Sequence, residues 1–366
     1  MSIKTKSLIL LFSLCPSGVV QAEEYQEGFL TSKLNRVIDK TTTQWASAPQ
    51  FGGYINGHYT YNDLKGNQGG PGFGIRLLRA YVSGTVLRDF KYRIQIEMNG
   101  SVALRDATIE WARWKEFAVK GGQFKRCFTF GNPMSPWLAG LGTYTQLVNK
   151  FSGFGDYCGE PNMNGRDIGL QFYGDLFPVG KTRHRLIHYE AGVYNGNGQN
   201  RADNNRQKDW IGTIQIQPVP NLYVGVFGWK GTYTQNDVTV DRNRWALSAK
   251  YEDKRWTAFV EYAHNTGHRI QDYDAHTKSW SGTGKADAWY ATLGMSVTSW
   301  LKPFVRYDAY REQGTWSSLK AIYSVCPNIQ LHKNLMFQVQ YSLVHDRQNP
   351  LDPYYNEFKA LTYIRF

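Results

Sequence analysis

Basic side chains recur at alternate positions along this sequence. Arg79, and then Lys91 and Arg93 two residues apart, stand between apolar residues. Lys125 and Arg126 open a stretch rich in Gly, Pro and aromatic rings that also holds Lys150, and Arg306 lies between Val305 and Tyr307 much later. A spacing of two puts such residues on one face of a β-strand. Guanidinium and ammonium groups along a wetted face do no covalent chemistry. They concentrate anions and pass them between weak sites, Arg by planar multidentate contact with oxyanions and Lys as a point charge. Glu97, Glu110, Glu190 and Asp308 fall on similar faces, so part of that charge serves to pair and to wet a wall.

Covalent chemistry has weaker candidates. His188, His264, His268 and His345 fall mostly at strand ends or loops, and no Ser sits in a recognisable nucleophile motif. No metal spacing of the HExxH or CxxC kind occurs. The expectation is a protein that is not an enzyme and uses no cofactor or metal, with a barrel-embedded hydrolase as the distant alternative.

The elements that must position the basic residues are strands. From Phe90 to Asn99 the even positions are Phe, Tyr, Ile, Ile and Met, and the odd ones Lys, Arg, Gln, Glu and Asn. Such strict alternation predicts strands near 51–61, 74–88, 90–100, 103–115, 117–126, 166–176, 184–194, 209–217, 222–232, 242–251, 255–265, 286–298, 300–312, 316–325, 334–345 and 356–366. Sixteen strands with apolar residues out and charged residues in describe an all-β, transmembrane antiparallel β-barrel. Short turns near Arg88, Glu116 and Asp253 alternate with longer connections at 62–73, 127–165, 195–208, 233–241, 266–285 and 346–355, with 100–102 and the stretch around Gln313 to Thr315 as exceptions. That asymmetry fits a barrel with turns inside the cell envelope and loops outside. Trp111, Trp114, Trp210, Trp229, Trp256, Trp289 and Trp300 fall near strand ends, as interfacial belts require.

The ends agree with this reading. Lys4 and Lys6, the apolar run Leu8 to Val20 and the small-residue site Val20-Gln21-Ala22 predict a signal peptide over 1–22. Residues 23–50 form a periplasmic lead-in in which Leu34, Val37 and Ile38 suggest a short helix. The barrel is expected over 51–366, its final strand ending on Phe366 and pairing with the first to remove the sheet edge. The predicted location is the outer membrane of a Gram-negative bacterium, amid its lipid and lipopolysaccharide. A net charge of +12 on an exported chain points to anions and not to nucleic acid.

The connection 127–165 carries seven rings, among them Trp137, Tyr144 and Phe154. Rings seek burial, so the loop is expected to fold into the lumen and bring Lys125, Arg126 and Lys150 near the path. Cys127 and Cys158 bracket it, and both a disulfide and two free thiols remain open.

The chain resembles the phosphate-selective porin O and P family. The resemblance rests on Gly121-Gly122-Gln123-Phe124-Lys125, Arg166-Asp167-Ile168-Gly169-Leu170-Gln171, Tyr189 to Gly196, Pro303 to Asp308 and the terminal strand. It implies a homotrimer with the third loop inside each pore, taking up phosphate or other small anions along basic ladders. Lys125 and Arg306 lie in the matching stretches; Arg79 and Arg93 come from parity alone. Two features depart from the family. Arg126-Cys127-Phe128 stands where it tends to place a proline, and the third loop is not densely basic. A general or sugar-permeable porin, with the loop's rings as a stacking track, is the alternative.

Overall fold

The computed structural model describes residues 46–66, 71–135 and 137–366. The signal segment 1–22 and all but the last residues of the lead-in 23–50 lie outside the described residues. Sixteen antiparallel strands close into a barrel in sequence order. They are β1 (Gln50–Asn62), β2 (Gly72–Val86), β3 (Phe90–Glu97), β4 (Ala103–Trp111), β5 (Ala118–Lys125), β6 (Arg166–Val179), β7 (His184–Tyr194) and β8 (Asp209–Val219). Then follow β9 (Leu222–Gln235), β10 (Val238–Glu252), β11 (Trp256–Thr266), β12 (Lys285–Met295), β13 (Leu301–Arg311), β14 (Leu319–His332), β15 (Leu335–Asp346) and β16 (Tyr354–Arg365). The seam is β1 against β16, from Tyr54 opposite Arg365 to Asn62 opposite Glu357. The Phe366 N–H donates to Gly53 O at 3.1 Å, and Gly53 N–H donates back to Phe366 O at 3.0 Å, leaving no free edge there.

Ile94, Ile109, Ile214, Val226, Leu247, Val260, Leu293, Val305 and Val325 all present exposed side chains on the outer wall. No helix among the described residues is long and apolar enough to cross a membrane, so any crossing uses the strands. Trp114, Trp210, Trp256 and Trp300 face outward as expected of a belt, but Trp229 is an inward residue and 2% exposed. The connection expected at 233–241 is also different. β9 and β10 continue upward and close through Asn236 and Asp237, both at positive φ. That is the two-residue hairpin chemistry that Asn and Asp favour. β14 runs on past 325 through Pro327, which lies opposite Pro303.

The long connection 126–165 folds into the barrel as expected. Its short helix α1 (Gln146–Phe151) is capped by Thr145, whose hydroxyl accepts from Val148 N–H at 3.2 Å. Phe128, Leu147, Val148 and Phe151 are buried against Phe227, Trp229, Phe259, Tyr290 and Tyr310 of the wall. Ala263, Ala286 and Ala288 are fully covered where the loop approaches, because small side chains let it sit close. The hydrophobic core therefore lies inside the lumen, on the β8–β13 side; much of the remaining open space lies towards β1–β6, and a further cavity of about 440 Å³ lies between the loop's start and β6–β10.

Candidate permeation site

An arginine clamp holds the loop in place. Arg126, at the loop's start, bonds Glu160 at 2.7 Å and Asp167 at 2.8 Å. Arg242 on β10 bonds Glu160 at 3.2 Å and Asp209 at 2.5 Å, and Arg244 bonds Asp156 at 2.5 Å. All three guanidiniums lie within 5.0 Å of the Trp229 ring centre. Every charge in the cluster is buried and every one is paired, which is the condition for burying charge at all. Burial raises the Asp156 carboxyl, but Arg244, by charge and hydrogen bonds, outweighs it and holds the group down at about 2. Asp156 and Glu160 are the only carboxylates the loop carries, and both are spent in this clamp.

Open space runs down the other wall as two cavities that share Arg79. The one towards the turns measures about 750 Å³. Among the described residues its lining holds six basic side chains, Arg79, Lys91, Arg93, Lys120, Lys125 and Arg166, against three acidic ones, Asp106, Glu110 and Glu190. The one towards the loops measures about 430 Å³ and is lined by Arg76, Arg79 and Lys359, with no carboxylate among its described lining residues. The two adjoin at Arg79, the waist of the path, and Tyr144 of the inserted loop lines the loop-side cavity.

At the waist the arginines are held by partners. Arg79 Nε donates to Glu97 at 2.5 Å and its Nη1 to the Tyr54 hydroxyl at 2.8 Å. Arg166 Nε donates to Asp106 at 2.7 Å. Lys125 donates to the carbonyls of Asn132 at 2.7 Å and Met134 at 3.0 Å, tying the wall to the loop. Towards the turns, Arg93 lies over the Tyr81 ring at 4.0 Å and 3.8 Å from Asp106, and Lys91 is 3.5 Å from Glu110. Their side chains are 39% and 58% exposed, so they meet solution directly.

Four of the seven basic residues proposed from sequence thus line one cavity: Arg79, Lys91, Arg93 and Lys125. The other three are elsewhere. Arg126 is fully buried in the clamp. Arg306 is buried under the loop, donating to Thr292 and to the carbonyls of Ala139 and Thr143. Lys150, on α1, is half-buried with its ammonium over the Tyr310 ring at 5.8 Å, outside both cavities. Cys127 and Cys158 are free and buried, and burial pushes the Cys127 thiol up to about 12.

Sequence reasoning missed the lining residues Arg76, Lys120, Arg166 and Lys359, and Arg105, which lies 3.5 Å from Glu97 outside both linings. Arg76 and Arg105 are extra residues at register shifts, between Leu77 and Ile75 opposite Asn56–Gly57, and between Asp106 and Leu104 opposite Gln95–Ile96. A bulge breaks the parity rule, so alternation could not reveal them. Arg166 had a signal, since it opens a matched stretch; Lys120 and Lys359 sit at plain inward positions and were recoverable by parity.

No protein-family model matches the chain, and no curated protein matches it. The barrel is similar in structure to the anion-selective porin from Comamonas acidovorans, with a TM-score of 0.66 at 12% identity over 88% of this chain and 100% of that one. It is also similar to the outer membrane channel DcaP of Acinetobacter baumannii, with a TM-score of 0.63 at 11% identity over 89% and 99% of the two chains. A third likeness is to the outer membrane protein OmpT of Vibrio cholerae in its trimer form, with a TM-score of 0.60 at 11% identity over 88% and 100%. At these identities the shared property is the fold. The protein is a closed sixteen-stranded β-barrel with the architecture of a porin.

Proposed function

We propose that this protein is an outer-membrane channel of a Gram-negative bacterium through which small anions diffuse passively. In this reading it is a homotrimer, its long loops face outward, and lipid and lipopolysaccharide surround it. The fold, the apolar outer wall and the solved channels it resembles support the class of activity. The observation that carries the ion preference is the fate of the loop's charges. With Asp156 and Glu160 both consumed by the clamp, no loop carboxylate faces Arg76, Arg79, Lys125 and Arg166 across the waist. A net excess of one sign in a narrow, low-dielectric passage raises the local concentration of the opposite ion.

The finer expectation of a phosphate-dedicated path has less support. Arg79, Arg93 and Arg166 each already face a carboxylate, which weakens their hold on a dianion. Phosphate is one admissible anion in this reading. The same pairing favours the second reading, a general porin of weak selectivity. Arg93→Glu discriminates the two, since that side chain is half in water and its replacement leaves the clamp intact. The anion-to-cation permeability ratio in planar bilayers is expected to fall roughly twofold or more, as befits a sign change within a Debye length of the path. An unchanged ratio would favour the weakly selective porin.

A further inference from the structure

We propose that the cavity on the loop side of the waist binds small organic carboxylates that carry an apolar or aromatic body. This rests on the anion-channel reading above and names the solute class for that path. Its lining is of three kinds: charged, apolar, and the neutral polar side chains of Thr60, Thr143, Asn149, Asn162 and Asn164. Arg76 and Lys359 supply positive charge. Arg76 is paired with no carboxylate among the described residues; it donates to Gly142 O and lies 3.4 Å from the Tyr363 hydroxyl. Lys359 shares its charge with Glu357 at 2.8 Å. Apolar groups adjoin them. Leu77 and Leu361 form part of the wall, and Phe154 packs on Tyr144 of the inserted loop with ring centres 4.6 Å apart.

Inorganic phosphate would gain nothing from Leu77, Leu361 and Phe154, because they offer an oxyanion no donors. A carboxylate with a ring or short alkyl body satisfies the charged and the apolar groups at once. The cavity, at about 430 Å³, is in the range of small-molecule sites, which is ample for one ring and accompanying water. His58 also lines it. Arg76 owes its inward aim to the bulge in β2, so the charged part of the cavity is built by a local irregularity of the sheet.

The test is block of chloride current through the purified full-length protein in planar bilayers. Sodium benzoate, sodium acetate, sodium phosphate and glucose are added in turn to the loop side. Benzoate is expected to halve the current at a concentration ~10-fold or more below that needed for phosphate or acetate, since burying part of a ring is worth at least that factor. Leu77→Asn should remove the advantage of benzoate over acetate, and Arg76→Gln should weaken both. Comparison of the three salts on the unaltered protein stands even where a variant fails to fold. Phosphate blocking as well as benzoate, or glucose blocking where benzoate does not, would overturn this inference while leaving an anion channel. A channel without anion preference in chloride alone would instead remove the reading on which it rests.

Discussion

Arg93 and Arg244 show how one residue type takes opposite roles according to its surroundings. Arg93 lies against Tyr81 with water beside it, and its charge is felt by whatever passes. Arg244 is sealed against Phe151 O and Asp156, and its charge is felt only by its partners. Removing one member of such a buried pair leaves the other uncompensated. Arg244→Ala is therefore expected to cost ~3–5 kcal/mol in unfolding free energy measured in detergent, well above a surface substitution. The same pair sets an acid limit. The Asp156 carboxyl is held at about 2 in the folded protein against 3.8 ordinarily, so its contribution is complete above the ordinary value and is lost as pH falls through about 2. The difference in tryptophan fluorescence between the unaltered protein and a Trp229→Phe variant, which isolates Trp229 from the other tryptophans, should stay flat down to about pH 4 and change below it; a transition near neutral pH would contradict the clamp. Parity made Arg79, Lys91 and Arg93 legible because they sit on regular strands. Arg126 and Arg306 misled because their fates depend on Glu160, Asp167 and the loop carbonyls, contacts across the fold that spacing does not encode.

The inserted loop is the element that decides the bore. It stays in place through three kinds of contact: the clamp, the rings of its apolar face, and the bonds from Lys125 and Arg306 to its backbone carbonyls. Its richness in rings announced that it would be buried. The wall that receives it was less legible. Phe227, Trp229, Phe259 and Tyr290 read as lipid-facing or belt residues when every apolar side chain is assigned outward, but on β9–β12 they point in, because the loop replaces water there. The covered alanines mark the contact. Ala263→Leu should overpack it, lowering stability by ~1–3 kcal/mol and pushing the loop towards β1–β6. Single-channel conductance is then expected to fall; a rise would mean that the loop moves away from the open side.

The whole barrel was the most legible level, because closure imposes a repeated constraint. Each strand must show one face to lipid, each must find two neighbours, and the last must meet the first, so sixteen short segments each carry the same signal. Alternation around Phe90–Glu97 and the run Phe358–Phe366 gave strands and seam close to those observed. The connection at 233–241 was misjudged as a loop because two strands that extend beyond the apolar band lose the apolar alternation while keeping their pairing. What the barrel does as a unit depends on the sign of the charge left along its open side. The most direct measurement is the reversal potential of the unaltered protein in a planar bilayer under a tenfold potassium chloride gradient. A potential with the sign of chloride flux is the predicted result. One with the sign of potassium flux, or none at all, would contradict a passage in which the loop's acids are spent and basic side chains outnumber acidic ones along the open wall.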